Sequence, residues 1–514
     1  MLTFLSRRLI ASILVLLAAS YVVYLLSANA GDPLDDLRTS TARNKEELIQ
    51  QRIALLHLDI PAPLRYFIWL GGVLKVFIGQ FDLGRSLKGQ AVTDLLASAV
   101  GVTIQLLISA TLLAIVFGIL IGITTALRQY SGYDYTVTGL SFLFFSLPSF
   151  FVAVILKQYV GIGFNNFLAA PVYPWWVILI VALLAGGIWQ GIVGGDLRRR
   201  LITVAVAGGA TGAVMTYVSA TNWLNNPSLT IGVIGVLGVG LAFLVAALTA
   251  GLANRKSLYT ALTVVVIGLA IYYPFNAISD YLTIWSVLGL GVLAVVVGIV
   301  VGYLWGGTDR RVSARTGGIT AFLVAFLIAI DRFMRSWSNY ANSDIINGRP
   351  IGTVGAGTPN LSDVTSNFWI EGLDNFTHLL LPTTSLLLIS LAAYSRYSRA
   401  SLLDVLNQDY IRTARAKGLS ERAVIMRHAF RNALIPITTI VAFDFGGLIG
   451  GAIITEIVFG WSGMGKLFND ALSPIPDVNP LMGFFLVTGG VAVLFNLLAD
   501  LSYTALDPRI RVAV

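Results

Sequence analysis

The chain has 514 residues, of which 56% are hydrophobic and 12% are charged, and its mean hydropathy is +0.80. Soluble domains carry about twice this share of charged residues, so the composition excludes a soluble protein and predicts a polytopic membrane protein. The absence of cysteine excludes a disulfide framework, a thiolate metal site and a cysteine nucleophile. The three histidines lack metal-ligand spacing, and the net charge of +8 is divided among short clusters, so neither a metal site nor a nucleic-acid partner is predicted.

Twelve apolar runs are long enough to cross about 30 Å of hydrocarbon as helices, which predicts an all-α fold. They lie near residues 9–28, 104–127, 136–156, 175–193, 201–220, 229–253, 258–279, 283–304, 316–330, 379–395, 433–455 and 479–499. The run at 316–330 is the shortest of the twelve, so the count is weakest there.

Basic residues predict the orientation of these runs. Arg7 and Arg8 precede the first run, which indicates a cytoplasmic N-terminus, and every loop after an even-numbered run is basic. These loops contain Arg128, Arg198–Arg200, Arg255–Lys256, Arg310, Arg311, Arg315 and the cluster Arg396–Arg431. The same alternation places the C-terminus, with Arg509 and Arg511, in the cytoplasm. Arg332 and Arg335 are the exception, because they fall on a loop predicted to be external.

The first run also has a second interpretation. Arg7, Arg8, the apolar run and Ala28-Asn29-Ala30 could form a secretory signal with its cleavage site. However, a run of about 20 residues is longer than the ~7–15 of a signal's apolar region, and its removal would reverse the remaining orientation. We therefore expect an uncleaved first helix.

Two glycine motifs carry weak signals. Gly460–Lys466 fits the first seven places of a phosphate-binding loop, but Leu467 replaces the Ser or Thr that would hold Mg²⁺, so nucleotide binding is not predicted. The small residues of Gly446–Gly451 allow close helix packing, either within the chain or against a partner.

Two acidic residues interrupt or border the late apolar runs. Asp444 lies near the middle of 433–455, where a carboxylate costs about 2.5–3.5 kcal/mol on insertion scales. It is either a pathway residue that meets a cationic or zwitterionic substrate, or a structural partner of another helix. Glu456 lies near a span end, where a solvated or helix-capping role is expected.

A long polar island lies between the tenth and eleventh runs. This basic segment (residues 409–436) begins Asp-Tyr-Ile-Arg-Thr-Ala-Arg-Ala-Lys-Gly-Leu-Ser and ends at Pro436. It resembles the coupling loop of ABC import permeases of the dipeptide and oligopeptide type. Further resemblances are Gly31-Asp32-Pro33, Asp82–Leu87, Ser146–Phe150, Leu381-Pro382, Ser401–Leu406, Gly446–Gly451, Gly463–Lys466 and Asp507–Arg511.

The resemblance implies a domain organisation. It covers roughly residues 1–165 and 350–514, which would form the six-helix core of a type I ABC importer permease. Residues 170–345 would be an inserted block with about six additional spans, which we expect to be peripheral to the pore because no charge falls within its predicted spans. Residues 31–100 would form an external loop, with Trp69, Phe77 and Phe81 as an apolar face toward a substrate-binding protein or the membrane surface.

The resemblance also implies partners and site residues. The chain would pair with a second homologous permease, two ATP-binding cassette subunits and an external substrate-binding protein, within the lipid bilayer. ATP and Mg would be bound by the partner subunits, so no residue here is expected to be catalytic and the chain is not predicted to be an enzyme. The ATPase-coupling residues would be Arg412, Thr413, Ala414, Arg415, Lys417, Gly418, Leu419 and Pro436, and Asp444 is the candidate pathway residue.

Two other classes remain alternatives at this point. An ion-coupled secondary transporter with twelve helices would need matched inverted halves and several charges at mid-membrane. A polytopic membrane enzyme would need a cluster of acids, bases or metal ligands. Neither pattern is visible in the chain.

Overall fold

The computed structural model describes residues 2–506, excluding the side chains of residues 2–5, 422, 435, 439, 442–443, 445–451, 499–500 and 502–506. The predictions for Asp507–Arg511, including the cytoplasmic C-terminus, lie outside the described residues, as do the side-chain contacts of Gly446–Gly451. The described chain is helical without a named strand. Its residues divide into two compact units, Met1–Val160 with Thr353–Ala356 and Leu379–Val514, and Gly161–Gly352 with Gly357–His378.

The helices of the first unit follow in chain order. They are α1 (Leu2–Asn29), α2 (Asp35–Arg38), α3 (Lys45–Leu56), α4 (Ala62–Leu74), α5 (Val92–Leu127), α6 (Gly132–Ser146) and α7 (Ser149–Ile155). The second unit contains α8 (Gly163–Leu168), α9 (Trp175–Val193), α10 (Leu197–Ala220), α11 (Ile231–Thr249), α12 (Arg255–Ile278), α13 (Ile284–Trp305), α14 (Arg310–Ala341) and α15 (Leu361–Val364). The remainder are α16 (Phe368–Leu406), α17 (Asp409–Ala416), α18 (Glu421–Ala423), α19 (Phe430–Gly451), α20 (Ile453–Phe459), α21 (Met464–Leu472) and α22 (Val478–Leu506).

Eleven of the described helices are long and apolar enough to cross a membrane, which confirms the prediction of an all-α polytopic membrane protein. Ten of them coincide in order with predicted runs, and Ser149–Leu168 overlaps the third predicted run only in part. The remaining run, 433–455, falls largely on α19, where many side chains lie outside the description. A count of twelve therefore stays a prediction at that helix.

The third predicted run, 136–156, is wrong as a single helix. The chain leaves the helical conformation at Leu147 and resumes it at Ser149. The cause is Pro148, which lacks an N–H and forces the preceding residue into extended backbone. The membrane-length helix at this place is instead Ser149–Leu168, in which α7 continues through π-type turns at Leu156–Ile162 into α8.

The weakest predicted run is one of the longest helices. Residues 316–330 lie inside α14, which is 32 residues long, so Arg332 and Arg335 are helical rather than on an external loop. The expectation that no charge falls within the spans of the block is also wrong. Asp331, fully buried on α14, accepts hydrogen bonds from Tyr272 Oη (2.7 Å), Arg335 Nε (2.7 Å) and the N–H of Leu229 (2.6 Å).

Close backbone packing shapes the second unit. Its helices α11 to α14 pack against one another, while α9 packs against α10. At the contact between α13 and α14, a Cβ on Gly298 would stand 2.4 Å from the carbonyl oxygen of Gly317, which only glycine permits. The unit thus has its own packed interior.

The core of the first unit joins α1, α4, α5 and α22. Tyr24, Tyr66 and Trp69 are buried there together with Leu96 and Met482. Trp69 therefore faces inward, whereas Phe77 and Phe81 are exposed. The expectation that Trp69, Phe77 and Phe81 form one apolar face is wrong, because helical periodicity turns Trp69 toward α1.

Candidate functional site

The basic segment folds as a short helix with one buried face. Ile411 and Ala414 of α17 are three residues apart and therefore lie on the same side of the helix. They are 0% and 6% exposed and pack against Ala126 of α5, Leu402 of α16 and Ala433 of α19. The helix is thereby fixed to the ends of three longer helices.

The opposite face of the segment carries its charges. Arg412, Thr413, Arg415, Lys417 and Leu419 are all exposed. Ala414, predicted to belong to the coupling residues, lies on the buried face and cannot itself present a contact surface. Its small side chain instead permits close packing against the helix ends beneath it.

Gly418 ends the helix. Its φ of +75° lies in the left-handed region, which an L side chain adopts at a cost. Its N–H donates to the carbonyl of Arg415 (2.9 Å), and the N–H of Leu419 donates to that of Ala414 (3.4 Å). A Cβ at position 418 would meet nothing within 4 Å, so the backbone turn, not crowding, requires glycine.

A second helical stretch starts immediately after this turn. The Ser420 hydroxyl accepts from the N–H of Ala423 and caps α18. The chain continues through a wider π-type turn at Val424–Ala429 into α19. Pro436 is exposed inside α19, which begins before it at Phe430.

The exposed cations make only local ion pairs among the described contacts. Arg412 Nη1 is 3.5 Å from Asp409 Oδ1, and Arg415 Nε is 2.8 Å from Glu421 Oε1. All four side chains are more than 40% exposed. Pairs in water contribute little to stability, so these guanidinium groups can exchange their local partner for another acid.

One buried ion pair beside the segment was missed by sequence reasoning. Arg399 of α16 donates from Nε and Nη2 to the two carboxylate oxygens of Asp134, both at 2.9 Å. Burial opposes ionisation of this carboxyl, but the Arg399 and Tyr130 N–H hydrogen bonds outweigh it and hold the pKa of Asp134 below its usual range. The pattern Ser131-x-x-Asp134 is readable as a helix cap, since Ser131 caps α6, but it does not indicate Arg399.

Asp444 has a described neighbour within the first unit. Its carboxyl on α19 lies near the hydroxyl of Tyr394, which is 1% exposed on α16. The two roles predicted for Asp444, pathway residue and structural partner of another helix, stay predictions.

Glu456 is fully buried, which corrects the solvated alternative and supports the capping one. Its carboxylate accepts from Thr103 Oγ1 (2.6 Å) and from the N–H groups of Gly465 (2.7 Å) and Lys466 (3.2 Å) at the start of α21. The Met464 N–H donates to Thr103 Oγ1 (2.8 Å). The N–H groups of Met464, Gly465 and Lys466 in the phosphate-loop-like motif are thus already paired with protein oxygens.

Comparison with known proteins finds a family match for the C-terminal part of the chain. Residues 318–512 match the family described as "Binding-protein-dependent transport system inner membrane component". The basic segment, Arg399, Asp444 and Glu456 all lie within this match. The predicted resemblance to import permeases is confirmed.

Individual relatives agree with the family match. The chain is 44% identical over 150 residues to the oligopeptide transport system permease protein OppB of Mycobacterium tuberculosis, covering 29% of this chain and 46% of that protein. It is 44% identical over 147 residues to AppB, the oligopeptide permease protein of Bacillus subtilis, with the same coverage. The dipeptide permease protein DppB of Escherichia coli is 45% identical over 139 residues, 27% of this chain and 41% of that protein. The chain thus matches less than half the length of these curated relatives.

Proposed function

We propose that this chain is a pore-forming transmembrane subunit of an ATP-driven ABC importer for dipeptides, oligopeptides or related small solutes. The names of the matched relatives support the substrate class. The observation that carries the proposal is the basic segment: a short helix with a buried apolar face, an exposed cationic face and a glycine turn. Such a helix is a projecting contact for another protein.

The packing of α17 suggests how force would pass through it. Ile411 and Ala414 contact side chains from the ends of α5, α16 and α19, so displacement of α17 would move those helix ends with it. Arg412, Arg415 and Lys417 would face an acidic cleft on the ATPase, and Gly418 would keep the turn to α18. ATP and Mg would be held by that partner, and this chain would supply no catalytic residue.

The partners follow from the number of coupling segments. One chain provides a single basic segment, whereas a symmetric pair of ATPases needs two. We therefore propose a complex with a second homologous permease, two ATP-binding cassette subunits and an external substrate-binding protein. Both termini and the basic segment would be cytoplasmic.

Asp444 remains the candidate pathway residue in this proposal. Its described neighbour, Tyr394, carries a neutral hydroxyl rather than a cation. A carboxylate has about four acceptor positions, so one hydroxyl leaves acceptors for a cationic or zwitterionic substrate. Replacement by Asn would keep the Tyr394 contact and remove the charge, which separates the two roles.

The decisive experiment compares energy sources. The chain, copurified with its partners and reconstituted in proteoliposomes, should take up peptides only with hydrolysable ATP, and the bound ligand should be identified by mass spectrometry. The chain purified alone should show no ATPase activity. Uptake driven by a proton or sodium gradient without ATP would instead support the secondary-transporter alternative.

A further inference from the structure

Helix α4 is apolar on both of its faces. Tyr66 and Trp69 point into the core of the first unit, with Leu70 and Val73 partly buried beside them. The opposite face is exposed and consists of Leu64, Phe67, Ile68, Gly71 and Leu74. A helix that is hydrophobic all round is suited to a protein core or to lipid, not to water.

The turn that follows α4 extends this exposed apolar surface. Phe77 is 85% and Ile78 is 69% exposed, and Val76 and Phe81 are also exposed. In α4 the one charged side chain, Arg65, donates from Nε to the hydroxyl of Tyr24 (3.1 Å) and so is directed toward α1. No polar side chain of α4 itself covers the outer face.

Helix α3, from the same segment between α1 and α5, provides the contrast. Its exposed side chains include Glu46, Glu47, Gln50 and Gln51. This is the polar face expected of a helix that borders water. The segment therefore contains one helix suited to water and one that is not.

Contacts with α1 place α4 beside a membrane-spanning helix. The Tyr66 hydroxyl is 2.7 Å from Ser20 Oγ, and the rings of Phe67 and Tyr21 are 6.2 Å apart. Ser20 lies nine residues before the end of α1 at Asn29, about 14 Å along a helix. The partners of α4 thus lie well within the span Ser6–Asn29, whose outer face exposes Val22 and Leu26.

We propose that α4 and the following turn (residues 62–81) are immersed in one leaflet of the lipid bilayer, with their outer face against acyl chains. At 13 residues α4 is about 20 Å long, too short to cross the hydrocarbon. The exposed face is continuous with the lipid-facing side of α1 through the Tyr21–Phe67 contact.

The absence of cysteine allows a direct test in the full chain. A single spin label would be placed by Phe67→Cys or Phe77→Cys, with Leu26→Cys as the lipid-facing reference and Glu46→Cys as the water-facing reference. Each variant is reconstituted in phospholipid nanodiscs, and collisions with oxygen and with a water-soluble nickel chelate are measured by power-saturation spectroscopy. Thermal unfolding of each variant checks that it has folded.

Labels at positions 67 and 77 should behave like the one at 26, with several-fold fewer nickel collisions and more oxygen collisions than at 46. Nickel accessibility equal to that at 46 would overturn the proposal. Labels that meet neither reagent would also overturn it, because a protein partner or a second copy would then cover the face. If Phe67→Cys does not fold, position 77 on the exposed turn gives the same reading independently.

Discussion

Two basic stretches of this chain have opposite environments. In the basic segment, Arg412 and Arg415 are 72% and 43% exposed and paired only with exposed acids. On α14, Arg332 pairs with Asp280, and Arg335 pairs with the fully buried Asp331. The first stretch can exchange its partners, whereas the second stretch is neutralised within its own unit.

This difference explains the exception in the predicted orientation. Counting basic residues in loops assumes that each cation is free to interact with the membrane surface or the solvent. Arg332 and Arg335 are part of a helix and are balanced by acids. They are therefore poor markers of the side on which a loop lies.

The largest expected effect concerns the turn of the basic segment. Gly418→Val should abolish ATP-driven uptake while leaving membrane insertion intact, because left-handed backbone costs an L residue about 1–2 kcal/mol and the turn would change direction. Gly418→Asn, which tolerates this conformation, should retain most uptake. Uptake in proteoliposomes measures both.

The matched control is Gly251, which has φ +79° and open space where a Cβ would stand, but lies in the second unit. Gly251→Val should leave uptake unchanged. Equal uptake in the Gly418 and Gly251 variants would show that the basic segment does not transmit force.

The next effect concerns the neutralised stretch. Asp331→Asn removes the charge that balances Arg335 and weakens the hydrogen bonds of Tyr272 and Leu229. Since Arg335 is partly exposed, we expect the free energy of unfolding to fall by about 2–3 kcal/mol rather than by the full cost of breaking a buried pair. Thermal unfolding in detergent measures it, and Asp409→Asn, at an exposed pair, should cause no detectable change. A similar change in the unfolding temperature of both variants would contradict the difference drawn between the buried and the exposed ion pairs.

A smaller effect is expected from the exposed charges. Reversing Arg412, Arg415 and Lys417 to Glu should weaken ATPase attachment by up to roughly a hundredfold, because exposed ion pairs contribute up to about 1 kcal/mol each. The attachment of the unaltered protein should fall with increasing salt. Reversal of Arg198, Arg199 and Arg200, which are also exposed, is the control. Unchanged affinity in the first variant would remove these cations from the docking surface.

Asp477 is a carboxylate without a close ion pair, and it provides a second comparison with Asp331. Asp477 is buried and accepts from the N–H of Leu87 (2.6 Å), and its burial raises its pKa to about 6. The folded state therefore binds the proton more tightly than the unfolded state. Its contribution to stability is full below about pH 4, is lost as the pH rises through 6, and stays absent above that. Asp477→Asn should remove this pH dependence of stability, which thermal unfolding from pH 4 to 7 measures. The same pH dependence in the variant and in the unaltered protein would contradict this prediction.

The smallest effect on transport is expected from deletion of the inserted block. Joining residue 168 to residue 348 should preserve ATP-driven uptake, since Asn165 and Ile351 near the junction already exchange two hydrogen bonds (2.9 and 3.0 Å). Stability should fall, because Trp369 and Asp374 lose their partners Ser279 and Tyr340. Loss of uptake in a deletion variant that still binds both ATPases would show that the block takes part in transport.

Local sequence was sufficient to predict most of the membrane-length helices and the exposed basic segment. A run of apolar residues determines whether a helix can cross a membrane, and that property needs no knowledge of neighbours. Pro148 nevertheless divided one predicted run, and the length of α14 exceeded its apolar centre because Asp331 and Arg335 neutralise each other inside it. The exposed cations and the glycine turn at 418 could also be predicted from the sequence, since both depend on adjacent residues.

Tertiary structure alone decided which residues meet. Asp134 and Arg399 are 265 residues apart, and Thr103 and Glu456 are 353 residues apart, so no local pattern pairs them. The same holds for Ala414, whose burial depends on the ends of α5, α16 and α19. Periodicity predicts that a helix has faces, but only the packed neighbours determine whether a face meets protein, water or lipid, because burial is a property of the whole assembly of helices.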